Sequence, residues 1–200
     1  MTTPERRLEL ATRLQALVTA LATEITPASA IDVLLEQAVG ALGADAGAVG
    51  LLDDSGENVR LAGSIGYSEA GLAGWDRFPM RVPLPMSDAI RTNEPVWTTT
   101  ARQLQERYPA LAGAQVRFDA LATIPLTVEG KPFGALSMSF RNAREFDADE
   151  RSFLQSAAQQ AAYALERARL FAAEQIASER LAFLAEAGEL LSGSLEPETT

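Results

Sequence analysis

Two hundred residues, 47% hydrophobic and 22% charged, suffice for one globular domain of ordinary size with some chain to spare. A net charge of −10 and a pI near 4.6 argue against a nucleic-acid surface, because phosphate binding needs clustered cations. The chain holds neither Cys nor His, which excludes thiol nucleophiles, disulfides, Cys/His zinc sites, imidazole acid–base catalysis and His-ligated haem.

The opening stretch, MTTPERRLEL, lacks the apolar core of a signal peptide, and no apolar run approaches the ~20 residues that span a bilayer, so a cytoplasmic protein is expected. Residues 5–25 carry an apolar stripe at Leu10, Ala11, Leu14, Leu17, Val18, Leu21 and Ile25, which predicts a first helix ended by Pro27. A second helix is predicted over 29–42, with Ile31, Leu34, Leu35, Ala38 and Leu42 on its inner face. The period then changes. AGAVGLL (46–52) reads as a buried strand, DDSGEN (53–58) as a polar turn and VRLAGS (59–64) as the returning strand.

Residues 65–117 are irregular and rich in Gly and Pro, with a short helix predicted near 87–92, a strand at 95–98 and a helix near 101–108. A segment of that length is too long for a mere connection and is of the kind that covers a site. FDALATIPLTV (118–128), the turn EGKP and FGALSMSF (133–140) form a predicted hairpin. FDADERSFLQSAAQQAAYALERARLF (146–171) follows as a long helix, with Asp147 and Glu150 at capping-box spacing. Its inner face is Leu154, Ala157, Ala158, Ala161, Ala164, Leu165, Ala168 and Phe171, and so much alanine predicts close approach to a sheet or helix. The helical pattern runs on past Phe171, with a stripe at Ile176, Phe183, Ala187 and Leu190 near coiled-coil spacing. The last stretch loosely echoes the first helix, as the opening of a further module would. Helices, two strands, a long insert, two strands and a helix make an α+β fold with an antiparallel sheet. The first, second and last helices cover one face.

As a set, these segments resemble the GAF domain, a small-molecule sensory module of signalling proteins. The closing helix 146–171, the hairpin IPLTVEGKPFGALSMSF (124–140) and PLPMSDAIRTNEPVWT (83–98) carry the likeness, over roughly residues 26–171. The resemblance implies a GAF/PAS-like central antiparallel sheet, with helices on one face and the loop-rich insert on the other. It divides the chain into a signalling and dimerisation helix (1–25), the GAF domain (26–171) and a helical linker leading to a further module (172–200). ERYPAL (106–111) and LAFLAEAGELLSGSLEP are similar to stretches of actinobacterial multidomain regulators, whose outputs are PPM-type phosphatases or histidine kinases. Asn142 is followed by Ala143, and Phe146 is separated from Asp149-Glu150 by only two residues, a departure from the cyclic-nucleotide signature that argues against cyclic GMP. Bilin-binding, haem-binding and methionine-sulfoxide-reductase members need Cys or His, which this chain lacks.

A non-enzymatic sensor is therefore expected, binding an unknown small molecule, without cofactor or metal, and relaying to a C-terminal effector as a homodimer built on helices 5–25 and 160–190. The alternative is a ligand-free dimerisation or scaffolding module. Trp75, Phe78, Trp97, Tyr108 and Phe118 concentrate in the insert and its edge, where they either anchor loops on the sheet or line a pocket. Trp97 and Phe118 are the leading wall candidates. Ser87 and Asp88 open the predicted short helix, as caps or beside an anion, and Thr123 faces that region from its strand. Arg81 and Arg117 flank the insert and could pair with a carboxylate or phosphate.

Overall fold

The structure, a computed structural model, describes residues 3–24, 26–113 and 118–193. Helix α1 (Thr3–Thr23) is followed at once by α2 (Pro27–Leu42), whose entry is set locally. Thr26 accepts from the Ser29 backbone N–H at 3.2 Å, and Pro27 fills the first turn, where a missing N–H costs nothing. Ile25, the last residue of the expected first stripe, lies outside the described residues.

Strands β1 (Ala46–Leu52) and β2 (Asn58–Ile65) form the first hairpin. The insert then supplies α3 (Glu69–Leu72), β3 (Arg77–Pro79), α4 (Pro85–Thr92), β4 (Val96–Thr98) and α5 (Ala101–Arg107), and closes with a 3-10 turn at Pro109–Gly113. Of these, α3, β3 and the 3-10 turn had no counterpart among the expected elements. Helix α4 begins at Pro85 rather than at Ser87. Leu84 is its N-cap, and Ser87 stands inside the first turn.

Strands β5 (Ala120–Val128) and β6 (Lys131–Phe140) form the second hairpin. Its turn is Glu129-Gly130 alone, both at positive φ (51° and 76°), the two-residue geometry that matches strand twist, so Lys131 already pairs with Val128. The six strands run in the order β3-β2-β1-β6-β5-β4, all pairs antiparallel.

Side-chain parity divides this sheet into two faces. Val49, Ala120, Ala122, Ile124, Leu126, Leu136, Met138 and Phe140 join the core beneath α1, α2 and α6. Ala48, Val59, Leu121 and Ala135 face the insert and pack with Phe78, Met86, Ala89, Ile90, Leu104 and Tyr108. The expected arrangement is the observed one: helices on one face, insert on the other.

Helix α6 (Ala148–Gly193) is 46 residues long, or about 69 Å at 1.5 Å per residue. Asp147 and Glu150 cap each other across its start: the Glu150 N–H donates to Asp147 Oδ1 at 2.8 Å, and the Asp147 N–H to Glu150 Oε2 at 3.2 Å. Ala157, Ala158, Ala161 and Ala162 are fully buried against the sheet and α2, so the alanine face lets the helix lie close. That contact ends near Ala168, and Phe171, expected on the inner face, is instead 45% exposed. The side chains of Phe183, Ala187 and Leu190 lie outside the described residues, as do residues 194–200. Among the described residues no helix is long and apolar enough to cross a membrane.

Candidate functional site

Between the sheet and the insert lies a cavity of about 240 Å³. Its floor is built from small or branched side chains of alternate strand positions: Ala48 on β1, Leu61 on β2, Leu121 on β5, and Ser137 and Ser139 on β6. The insert supplies the walls. Tyr67, Leu72, Trp75 and Phe78 close one side; Pro85, Met86, Leu104 and Leu111 close another; Phe118 and Asp119 stand where the chain re-enters the sheet.

Aromatic edges fix the walls. Tyr67 meets Phe118 edge-on with ring centroids 5.4 Å apart, and Trp75 meets Phe78 at 6.3 Å in the same manner. The floor is polar but largely self-satisfied. The Tyr67 hydroxyl and Ser139 Oγ lie 2.7 Å apart, and Thr123 Oγ1 and Ser137 Oγ 2.8 Å apart. Burial pushes the Tyr67 phenol above its usual range, partly opposed by that bond to Ser139, so Tyr67 is neutral at pH 7.

The residues singled out from sequence divide into three groups. Trp75, Phe78 and Phe118 come together around the cavity. Thr123 stands one hydrogen bond behind its floor, and Asp88 and Tyr108 bond to each other nearby, the Tyr108 hydroxyl donating to Asp88 Oδ2 at 3.0 Å. Burial and that carboxylate push the Tyr108 phenol up. Asp88 is further neutralised by Arg91 and by Arg107 at 3.7 Å, which leaves it committed to structure rather than open to a ligand.

Trp97 stands apart from the other candidates. The register Trp97↔Ala122 places it on the helix face, where its ring packs on Phe146 at 5.3 Å and under the Arg151 guanidinium at 5.0 Å. Its neighbours Val96 and Thr98 have the opposite parity and are buried. Arg81 is exposed, and Arg117 lies outside the described residues. Ser87 is fully buried, and its hydroxyl has no partner among the described residues.

Sequence reasoning missed Tyr67, Asp119, Ser137 and Ser139. The last two carried a readable signal: in ALSMSF the small residues Ala135, Ser137 and Ser139 alternate with Leu136, Met138 and Phe140, marking a face built for something other than tight apolar packing. Among the described residues no cluster of acidic side chains could hold a metal ion.

The comparisons with known proteins agree on one architecture. A family model described as GAF domain matches residues 24–166. Among solved structures, the GAF domain of a phosphoenolpyruvate-protein phosphotransferase from Coxiella burnetii is 19% identical. It covers 84% of this chain and 98% of its own, with a TM-score of 0.72. The free methionine-R-sulfoxide reductase from Neisseria meningitidis, solved with its substrate, is 16% identical, with 85% and 95% covered and a TM-score of 0.70. A GAF domain/HD domain protein from Geobacter sulfurreducens is 19% identical, with 75% and 98% covered and a TM-score of 0.62. No curated protein sequence matches the chain. Likeness at these identities is one of fold, and with the family match over most of the chain it places the protein in the GAF domain family.

Proposed function

We propose that this GAF domain is a non-enzymatic sensory input module. It binds a small molecule between sheet and insert and passes occupancy through α1 and α6 to an output domain. The observation that carries the reading is a partly apolar cavity on one face of strands whose other face seats the terminal helices. Ser137 and Ser139 line the cavity, while Leu136 and Met138, which alternate with them, pack in the helix-side core. A ligand that shifts β6 thereby shifts the surface on which α6 lies, and differential affinity for two such arrangements is all that coupling requires. A lined cavity favours this over a scaffolding role, in which a filled interior would be expected.

The output is proposed to be a phosphatase or histidine kinase reached through the C-terminal part of α6, and the setting cytoplasmic. The absence of Cys and His leaves the cavity without a thiol nucleophile or an imidazole to activate its serines, in keeping with binding rather than turnover.

Mass spectrometry of natively purified protein tests the binding step. A retained molecule is expected in the wild type and lost in Ser137→Leu, which fills the floor, and in Leu72→Trp, which narrows the rim without touching the sheet. Retention unaffected by both variants would move the site elsewhere. A wild type that retains nothing, from its native host or from extracts, would return the scaffolding reading to the lead.

A further inference from the structure

The cavity walls constrain the occupant's charge and size more closely than the fold does. We infer, resting on the binding role just proposed, that the cavity accepts a compact aromatic or otherwise apolar ligand carrying a cationic amine, which Asp119 receives. Three observations converge on this class.

Asp119 is the one charged residue among the described lining residues, and no described Arg or Lys lines the cavity. Its backbone N–H donates to Phe140 O at 2.9 Å, fixing the residue at the cavity's edge, while its carboxylate has no partner among the described residues. Asp53, Asp88 and Glu150, by contrast, are each bound by at least one arginine. A half-buried carboxylate left open at a pocket edge attracts a cation and repels an anion. The chain's net charge of −10 adds to that bias.

The rings point the same way. Tyr67, Trp75, Phe78 and Phe118 present aromatic surface around the space, and aromatic faces favour cations as well as apolar bodies. The remaining polar groups are mostly occupied with one another: Ser139 with Tyr67, Ser137 with Thr123. An anionic ligand would find few free donors beyond the Gln105 amide. Size narrows the class further. At about 240 Å³ the space falls below the ~300–1,000 Å³ of clefts that hold drug-sized ligands, so a one- or two-ring molecule fits and a nucleotide does not. Because Asp119 keeps contact with solvent, pairing there spares the amine full desolvation.

Three matched probes test this by isothermal titration on the full chain: tryptamine, indole and indole-3-propionate, which share a ring system and differ in charge. Tryptamine should bind about tenfold tighter than indole, the gap expected of one charged hydrogen bond, and indole-3-propionate weakest of the three. Asp119→Asn should remove tryptamine's advantage and leave indole unchanged; the isosteric amide keeps the fold because the carboxylate has no described partner to lose. Indole-3-propionate binding as tightly as tryptamine, in a manner lost in Ser137→Leu or Leu72→Trp, would overturn the inference about charge while leaving the cavity a binding site. An unchanged tryptamine affinity in Asp119→Asn would overturn it as well. Binding by none of the three also overturns it, and the broader reading is then judged separately by what native mass spectrometry finds retained.

Discussion

Trp97 and Phe146 pack ring against ring at 5.3 Å with an interplanar angle of 48°, on the side of the sheet away from the cavity. Phe146 itself stacks edge-on against Phe140 at 5.5 Å, and Arg144 lies over the Phe140 ring at 4.2 Å. The tryptophan is thus part of the seat that receives the start of α6. Replacing it with Ala should destabilise the domain by roughly 2–4 kcal/mol, at or below the usual cost of Trp→Ala because the ring is only partly buried. Ligand affinity in variants that remain folded should match wild type. Denaturant melts paired with titration of the retained ligand check this, and an affinity loss without a stability loss would put Trp97 back among the ligand contacts.

How far the sequence led is clearest at such positions. The hairpin β5–β6, the capping box of α6 and the alanine face of that helix were all legible, because each is written in local spacing. The face taken by Trp97 was not. A three-residue strand has too little alternation to show parity, and its face is set by pairing with β5, which lies more than 20 residues on. The same brevity hid β3 and α3. Trp75, Phe78 and Phe118 were legible as aromatics in an irregular segment. Tyr67 and Asp119 were not, since they join the cavity only once the insert folds over the floor.

Glu150 is 2% exposed yet charged, and it accepts hydrogen bonds from both Arg6 of α1 and Arg144 before α6. With its capping bonds, this one carboxylate ties the first helix to the start of the last. Glu150→Gln keeps the shape and removes the charge, leaving Arg144 without its anion and Arg6 with only Asp147, at 3.9 Å. Losing one partner of a buried pair costs about 3–5 kcal/mol, and the partial exposure of Arg6 and Arg144 lowers the expected figure to roughly 2–3 kcal/mol. Faster hydrogen exchange in the N-terminal half of α1 than in α2 should accompany the loss. A uniform change in exchange across the domain would mean that Glu150 serves the fold at large rather than the α1–α6 contact.

Alkaline pH should also weaken the fold, through the tyrosines. The phenols of Tyr108 and Tyr67 are both raised above the ordinary value near 10, chiefly by burial. A group whose pKa is raised on folding holds its proton more tightly in the native state. Its contribution is complete below pH ~10 and is lost as pH climbs from there toward the folded value. With no Cys and a single lysine, Lys131, few other groups titrate in that window. Unfolding free energies measured from pH 8 to 11 should therefore fall at the upper end. Tyr108→Phe should flatten that fall and cost about 1 kcal/mol at neutral pH for the lost bond to Asp88. An alkaline limb unchanged by the substitution would assign the effect elsewhere.

The terminal helices supply the last prediction. Helix α1 buries Leu10, Leu17 and Leu21 in the core, and Arg167 of α6 donates to the Leu21 carbonyl at 2.7 Å, so the two helices lie side by side. Their outer surfaces are not polar. Leu8 is 71% exposed, and Leu8, Ala11, Gln15, Val18 and Ala22 follow at three- and four-residue steps, a mostly apolar seam of coiled-coil spacing. On α6, Tyr163 and Leu170 stand seven residues apart and exposed, with Phe171 and Ile176 beyond. A symmetric pair of chains would cover both seams at once, since a two-fold interface presents the same patch from each side. Light scattering at micromolar concentration should give about twice the chain mass of 21.4 kDa. Leu8→Glu combined with Leu170→Glu should shift the protein to monomer without lowering the stability of the sheet core, because neither side chain is part of it. If the wild type stays monomeric as concentration rises, the helices carry no dimer, and a relay through paired helices gives way to one within a single chain.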